Sequence, residues 1–149
     1  MAENVSVEYL CVRIGDAKVG IPADYVEEVF ETALITRLPC SPDFILGMIN
    51  VRGSIMPVLD LWDIADPSVS IKKIVILNTL EGLVGLPINE LIDLIRFDNF
   101  EQSDDVSDKL KHWKKFFPTT GRKDDRYFLM KVNELISYTL TQHTRQAVK

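Results

Sequence analysis

The chain has 149 residues, of which 46% are hydrophobic and 26% charged, values typical of a globular protein with a packed core. Its 22 acidic residues outnumber the 17 basic ones, the wrong sign for binding nucleic acid or an anionic membrane surface. No apolar run approaches the roughly 20 residues of a membrane span, and the N-terminus does not resemble a signal peptide. We therefore expect one domain, residues 1–149, with no nucleic-acid partner and no insertion into a membrane.

The first thirty residues predict a β-hairpin and a short helix. Val5–Ile14 alternates as a strand does, and Gly15-Asp16 turns it into a second strand, Lys18–Ile21. Pro22 suits the first position of a helix. We predict an amphipathic helix over Pro22–Glu31, whose apolar stripe is Val26, Val29 and Phe30.

The next stretch predicts a second hairpin with an arginine at its tip. Ile45–Val51 and Ile55–Leu61 are short apolar runs typical of buried strands. Between them lies Arg52-Gly53, and glycine tolerates the positive φ that a tight turn requires. Leu38–Asp43 contains two prolines and is predicted to be a loop. Without further information, Arg52 is better explained as an ordinary solvated turn residue than as a binding residue.

The second half contains a partial repeat of the first. Trp62–Ser70 is polar and is predicted to be a linker, followed by strands over Lys73–Asn78 and Leu83–Pro87. The sequence Val-Gly-Ile-Pro at 19–22 recurs as Val-Gly-Leu-Pro at 84–87, 65 residues later. A duplicated β-unit explains this repeat, so Lys18–Ile21 and Leu83–Leu86 should occupy equivalent strands. The approximate subdomains are 15–80 and 81–140.

The last third predicts two helices and one strand. Asp104–Phe117 has apolar residues at helical spacing, and its lysines are predicted to form a solvated outer face. A polar loop over Gly121–Asp125 and a strand over Tyr127–Val132 follow. A final helix is predicted from Asn133 to about Leu140, with a frayed end from Thr141 to Lys149.

No catalytic or metal-binding pattern stands out. Cys11 and Cys40 are isolated and are predicted to be buried thiols, and neither histidine has ligand spacing around it. Asp60 and Asp63 are the one conceivable acid–base pair, although solvated carboxylates are the more ordinary explanation. We expect no catalytic residue, no metal and no cofactor.

The central stretch closely resembles the CheW-type coupling proteins of bacterial chemotaxis. The family pattern runs I-T-x-L-P-x-x-P-x-F-I-x-G-x-I-N-x-R-G-x-I-x-P-V-x-D-L. The matching positions are Ile35, Thr36, Leu38, Pro39, Pro42, Phe44, Ile45, Gly47, Ile49, Asn50, Arg52, Gly53, Ile55, Pro57, Val58, Asp60 and Leu61.

The resemblance implies a fold and a function. The fold is mostly β, with two small five-stranded SH3-like barrels packed together and short helices after the first hairpin, near 106–117 and at the C-terminus. The function is that of a cytoplasmic, non-enzymatic adaptor between the cytoplasmic tip of a chemoreceptor and the regulatory domain of a CheA-type histidine kinase. With no kinase or receiver segment, a stand-alone coupler is expected.

The resemblance also implies a receptor-binding site. Arg52 matches the family's receptor-contacting arginine, and Glu28 matches the carboxylate that pairs with it. The full set of expected receptor-binding residues is Val26, Glu28, Gly47, Ile49, Val51, Arg52 and Gly53. Three alternatives stay open: a coupler of a twitching or other chemosensory-like pathway, an orphan module that binds a helix, and a weak hydrolase that uses Asp60 and Asp63.

Overall fold

The computed structural model describes residues 7–31, 35–36, 45–60, 73–102 and 108–148. Eleven strands and one α-helix lie within these ranges, so the described part of the chain is mostly β, as predicted. The strands are β1 Glu8–Ile14, β2 Ala17–Pro22, β3 Val26–Phe30, β4 Ile45–Val51, β5 Ser54–Leu59, β6 Lys73–Thr79, β7 Gly82–Ile88, β8 Glu90–Arg96, β9 Asn99–Gln102, β10 Thr119–Lys123 and β11 Asp125–Leu129. Helix α1 spans Val132–Val148, and 3₁₀ segments span Ala23–Tyr25 and Asp108–Phe116.

The strands form two sheets. Among the described residues, the first sheet has six strands in the order β8-β1-β2-β11-β10-β9, and the second has five in the order β3-β6-β7-β5-β4. Most neighbours are antiparallel, but β2 pairs with β11 and β5 pairs with β7 in parallel. Five strands per unit were predicted, and β9 is the additional strand of the first sheet.

The predicted duplication is confirmed by the topology. Strands β1 and β6 begin 65 residues apart, at 8 and 73, and end 65 apart, at 14 and 79. Each forms a hairpin with the next strand, β2 or β7, and these two are the strands predicted to be equivalent. The parallel partners also correspond, because Leu129 pairs with Gly20 and Val58 pairs with Gly85.

The β1–β2 hairpin and the β6–β7 hairpin each pair with a strand from the other half of the chain. Strand β3 leaves the β1–β2 hairpin and pairs with β6, whereas β8 leaves the β6–β7 hairpin and pairs with β1. The second sheet is therefore built from 26–88, and the first from 8–22 together with 90–129. Neither sheet coincides with residues 15–80 or 81–140, because the chain crosses between the sheets after each hairpin.

The predicted helix over Pro22–Glu31 is wrong. A single 3₁₀ turn, Ala23–Tyr25, follows Pro22, and the chain then extends into β3. The register of β3 shifts between Val26 and Glu28, so that Glu27 is an extra residue opposite β6. This bulge interrupts the alternation of a strand and produces the three-residue spacing that resembled a helix.

Three further strands and the length of α1 were missed. The predicted polar loop Gly121–Asp125 contains most of β10 and the start of β11, and β8 and β9 were not predicted. The predicted strand Tyr127–Val132 is found as Asp125–Leu129. Helix α1 continues to Val148, past the predicted end at Leu140.

The segment before β10 is a kinked 3₁₀ helix and not the predicted α-helix. The backbone dihedral angles of Trp113 are not helical, and the segment is kinked at this residue. Its aromatic residues pack on α1, where the Phe116 and Tyr138 rings lie 5.3 Å apart, and Lys115 lies over Tyr138. The start of the predicted segment, the loop 38–43 and the linker 62–70 lie outside the described residues.

The main hydrophobic core lies where the two sheets and α1 meet. It includes Val12 and Ile21 from the first sheet, Leu77 and Leu86 from the second, and Ile136 from α1. Two smaller clusters belong to single sheets: one around Ile49, Val58 and Ile76, the other around Cys11, Phe97 and Tyr127. Within the described part of the chain, no helix is both long and apolar enough to span a membrane.

Candidate functional site

The β4–β5 hairpin places Arg52 at its tip, as predicted. Val51 pairs with Ser54, which leaves a two-residue turn in which Arg52 has a φ of 51° and Gly53 a φ of 90°. Two consecutive positive φ values are those of a type I′ turn, whose twist matches that of the flanking strands. The backbone N–H of Gly53 also donates a hydrogen bond to Asn50 Oδ1 at 2.9 Å. The base of the arginine side chain is therefore in a defined position.

The guanidinium of Arg52 forms a bidentate ion pair with Glu28. Nη1 donates to Oε1 at 2.7 Å, and Nη2 donates to Oε2 at 2.6 Å. The guanidinium carbon also lies 5.8 Å from the centre of the Phe30 ring, within the range of a cation–π contact. The predicted approach of Glu28 to Arg52 is thus confirmed, although Glu28 lies on a strand and not on a helix.

This ion pair joins opposite edges of the second sheet. Glu28 lies on β3, the first strand in the sheet order, and Arg52 follows β4, the last. The backbone next to β3 also approaches β4, because Thr36 and Met48 exchange two hydrogen bonds, of 2.8 and 2.9 Å. Both contacts require the sheet to curl so strongly that its two edges come near each other here.

The pair changes the pKa of both partners. The hydrogen bonds from Arg52 lower the pKa of the Glu28 carboxyl, and the same bonds raise the pKa of the guanidinium. Both groups are therefore charged at neutral pH. Because 72% of the Arg52 side chain is exposed, its charge remains accessible to a partner.

The seven predicted site residues separate into an exposed set and a supporting set. Arg52 and Gly53 are exposed, and Val26, Glu28 and Val51 are partly exposed. Gly47 is buried, and Ile49 is only 2% exposed in the core of the second sheet. These last two lie beneath the surface of the chain.

Gly47 allows the chain segment after β3 to pack against β4. A Cβ at this position would clash with the carbonyl oxygen of Thr36 and would lie 2.7 Å from Ile35 Cγ2. A backbone atom cannot move aside as the end of a flexible side chain can. Gly47 is therefore required for the Thr36–Met48 backbone pairing beside the Glu28–Arg52 pair.

Two residues near the tip of the β4–β5 hairpin were not among the predicted site residues. Phe30 was assigned to a helix stripe but lies beside Arg52, and Ile55, 68% exposed, follows Gly53 on β5. An isoleucine three residues after the turn arginine was visible in the sequence, but its exposure depends on which face of β5 is covered. We call Glu28, Phe30, Val51, Arg52 and Ile55 the hairpin surface.

The described residues give no support to a metal site. They contain no group of three or more His, Cys, Asp or Glu side chains that could hold a metal ion. Cys11 is a buried free thiol, as predicted, and burial raises its pKa to about 12. Cys40 and Asp63 lie outside the described residues, so the predicted Cys40 thiol and the Asp60–Asp63 pair have no structural description.

Comparison with known proteins identifies the family. The family model described as a CheW-like domain matches residues 8–139. The chain belongs to the CheW-like family. Chemotaxis protein CheW of Thermotoga maritima is 32% identical over 120 residues, which cover 77% of this chain and 80% of that protein. A crystal structure of the scaffolding protein TtCheW from Thermoanaerobacter tengcongensis has 25% identity and a TM-score of 0.73, covering 88% of this chain and 92% of that one.

A third relative matches over a shorter region. Protein FrzA of Myxococcus xanthus is 46% identical over 54 residues, or 36% of this chain. The match covers 34% of the length of FrzA, so the similarity concerns about a third of that protein. The CheW-like chain and TtCheW share the fold described above, and the predicted resemblance is confirmed.

Proposed function

We propose that this CheW-like chain is a non-enzymatic cytoplasmic adaptor that couples chemoreceptors to a CheA-type histidine kinase. The observation that carries the proposal is the match of residues 8–139 to the CheW-like domain. The hairpin surface supplies the receptor contact, and a separate surface binds the regulatory domain of the kinase.

The chemistry of the hairpin surface suits the tip of a helical receptor bundle. A helix packs its apolar face into a groove, and charges at the rim determine its register. Phe30 lies beside the guanidinium of Arg52, and Val51 directly precedes Arg52. Ile55 adds exposed apolar surface on the adjoining strand β5. Val26 and Gly53 complete the exposed part of the site, and Gly47 and Ile49 support it from below.

The ion pair prepares Arg52 for binding. A free arginine side chain loses conformational entropy when a partner immobilises it, and this loss weakens binding. In this chain, Glu28 already restricts the guanidinium through two hydrogen bonds. Arg52 can therefore present its remaining N–H groups to a receptor carboxylate or carbonyl at a smaller entropic cost.

The adaptor proposal is tested by titrating Arg52→Glu against each partner separately. Charge reversal should reduce affinity for a receptor-tip fragment by at least about 100-fold and change affinity for the kinase regulatory domain by no more than a few-fold. Arg122→Glu is a matched control, because Arg122 is also exposed and paired with a glutamate, Glu101, but lies on the other sheet. It should leave receptor affinity unchanged.

Two outcomes contradict the proposal. Equal loss of both affinities in a folded Arg52→Glu protein would show one shared surface and would exclude bridging. Undetectable binding of the unmodified chain to either partner would exclude the adaptor function itself. The similarity to FrzA supports a second candidate, a coupler in another chemosensory-like pathway, which the identity of the co-purifying kinase and receptor distinguishes.

A further inference from the structure

A leucine projects from the turn between β6 and β7. Leu80 is 83% exposed, the largest exposure among the large hydrophobic residues that the structure describes. Exposing a leucine at a turn tip has no benefit for the fold, because its apolar surface remains in water. The neighbouring residue, Glu81, is an exposed acid.

This turn is attached to helix α1. The N–H of Leu80 donates to Asn133 Oδ1 at 2.9 Å, and Ser137 Oγ donates to Glu81 Oε2 at 3.1 Å. Within the turn, Thr79 Oγ1 donates to the Gly82 carbonyl oxygen and accepts from the Glu81 N–H. The turn presents Leu80 in a defined position, so little entropy is lost when a partner binds it.

A depression of matching size lies on the first sheet. It has a volume of about 180 Å³ and is lined by Tyr9, Phe100, Pro118, Thr119, Leu129, Met130 and Lys131. Phe100 is exposed on β9, which is an edge strand. Apolar cavities of about 150 Å³ hold a benzene molecule, so the depression has room for a leucine side chain.

The two features are complementary in charge and lie beside the same helix end. Lys131 lines the depression, and no salt bridge to it is found within the described ranges, whereas the leucine turn carries Glu81. Lys131 immediately precedes α1, and Asn133, which binds the leucine turn, lies in the first turn of α1. When a protrusion and a matching depression adjoin one helix end, a two-fold axis can exchange them between two copies.

We propose that two copies of this chain form a weak symmetric dimer in which Leu80 of each copy enters the Tyr9–Phe100 depression of the other. Glu81 of each copy pairs with Lys131 of the other. Because two small contacts bury little surface, the dissociation constant is expected to be on the order of 100 µM. The Leu80 turn lies at the same end of the second sheet as the Arg52 turn, because β5 and β7 are adjacent and parallel. The test of the dimer needs no receptor or kinase.

Sedimentation velocity over a range up to about 1 mM tests the dimer. Leu80→Asp and Phe100→Ala should each weaken dimerisation at least about tenfold, because each removes an apolar contact twice per dimer. Leu94→Asp is the matched control, since Leu94 is an exposed leucine on β8 outside the depression, and it should dimerise like the unmodified chain. Circular dichroism verifies that each variant is folded.

Exchanging the charges of Glu81 and Lys131 tests whether these two residues meet in the dimer. Glu81→Lys and Lys131→Glu should each weaken self-association, because each places two like charges together at both contacts. Mixing the two variants should restore a dimer, since every contact in the mixed dimer again joins a lysine and a glutamate. A monomer up to 1 mM, an equal effect of Leu94→Asp, no recovery on mixing, or growth beyond the dimer would each overturn the proposal.

Discussion

At the scale of single residues, we expect Arg52 to affect binding more than stability. An exposed ion pair contributes little to the free energy of unfolding, because water and salt screen both charges and ordering the side chains costs entropy. The bidentate geometry nevertheless restricts the guanidinium to one orientation, and orientation determines what a partner encounters.

We expect Arg52→Ala to leave the melting temperature within about 3 °C of the unmodified chain and to weaken receptor-fragment binding at least about tenfold. Arg52→Lys should bind almost as weakly, because an ammonium group cannot form the paired hydrogen bonds to Glu28. Calorimetric melts and isothermal titrations measure both quantities. A large drop in the melting temperature would instead make Arg52 a structural residue that holds the sheet edges together.

The Glu28–Arg52 pair should also respond to acid. Because the pKa of Glu28 is lowered in the folded chain, the contribution of the pair is present above the ordinary glutamate range and is lost as the pH falls through the lowered value. A carbon-13 NMR titration of the Glu28 carboxyl should give a lower midpoint in the unmodified chain than in Arg52→Ala. Identical midpoints would show that the bidentate pair does not persist in solution.

At the scale of elements, the packing of 35–36 against β4 depends on Gly47. We expect Gly47→Ala to cost about 1–3 kcal/mol of unfolding free energy, because its Cβ meets the immobile Thr36 backbone. Gly85→Ala is the matched control on β7, where the nearest atoms belong to side chains and the closest lies at 3.0 Å. Urea unfolding of both variants should rank Gly47→Ala as the less stable, and the reverse ranking would contradict this account.

Local sequence predicted some of these strands and turns and not others. The hairpins and the Arg52 turn follow from apolar runs and glycines close together in the chain, and they were predicted correctly. Strands β3 and β8 were not, because each contains a bulge. Glu27 is extra in β3, and Ile92, 65 residues later, is extra in β8. The hydrogen bonds that define both strands come from the distant half of the chain, so no local period identifies them.

The site was predictable to a similar extent. The family pattern indicated Arg52 and Glu28, and the structure brings them together. Burial could not be predicted, because Gly47 and Ile49 face inward only once β4 has packed on its neighbours. To predict that Phe30 lies beside Arg52, one must know that β3 and β4 are the two edges of one curled sheet. That arrangement depends on the whole topology.

At the scale of the whole molecule, the exchange of strands unites the two halves. Each sheet takes strands from both sides of the middle of the chain, and the main core draws side chains from both sheets and from α1. Neither sheet can lose its packing while the other remains intact, because the side chains of the main core from one sheet are buried against those from the other and from α1. Unfolding is therefore expected to be a single cooperative transition.

Two matched substitutions test this cooperativity. Ile76→Val removes a methylene from the core of the second sheet, and Ile95→Val removes one from the core of the first. Each should lower the unfolding free energy by about 0.5–1.5 kcal/mol and shift one common urea transition, seen equally by tryptophan fluorescence and by far-ultraviolet circular dichroism. If the sheets were independent units, each substitution would move only one of two separable transitions, and the two signals would have different midpoints. Coincident midpoints in both variants would establish that the duplicated β-units fold as one body, because the strand after each hairpin completes the other sheet.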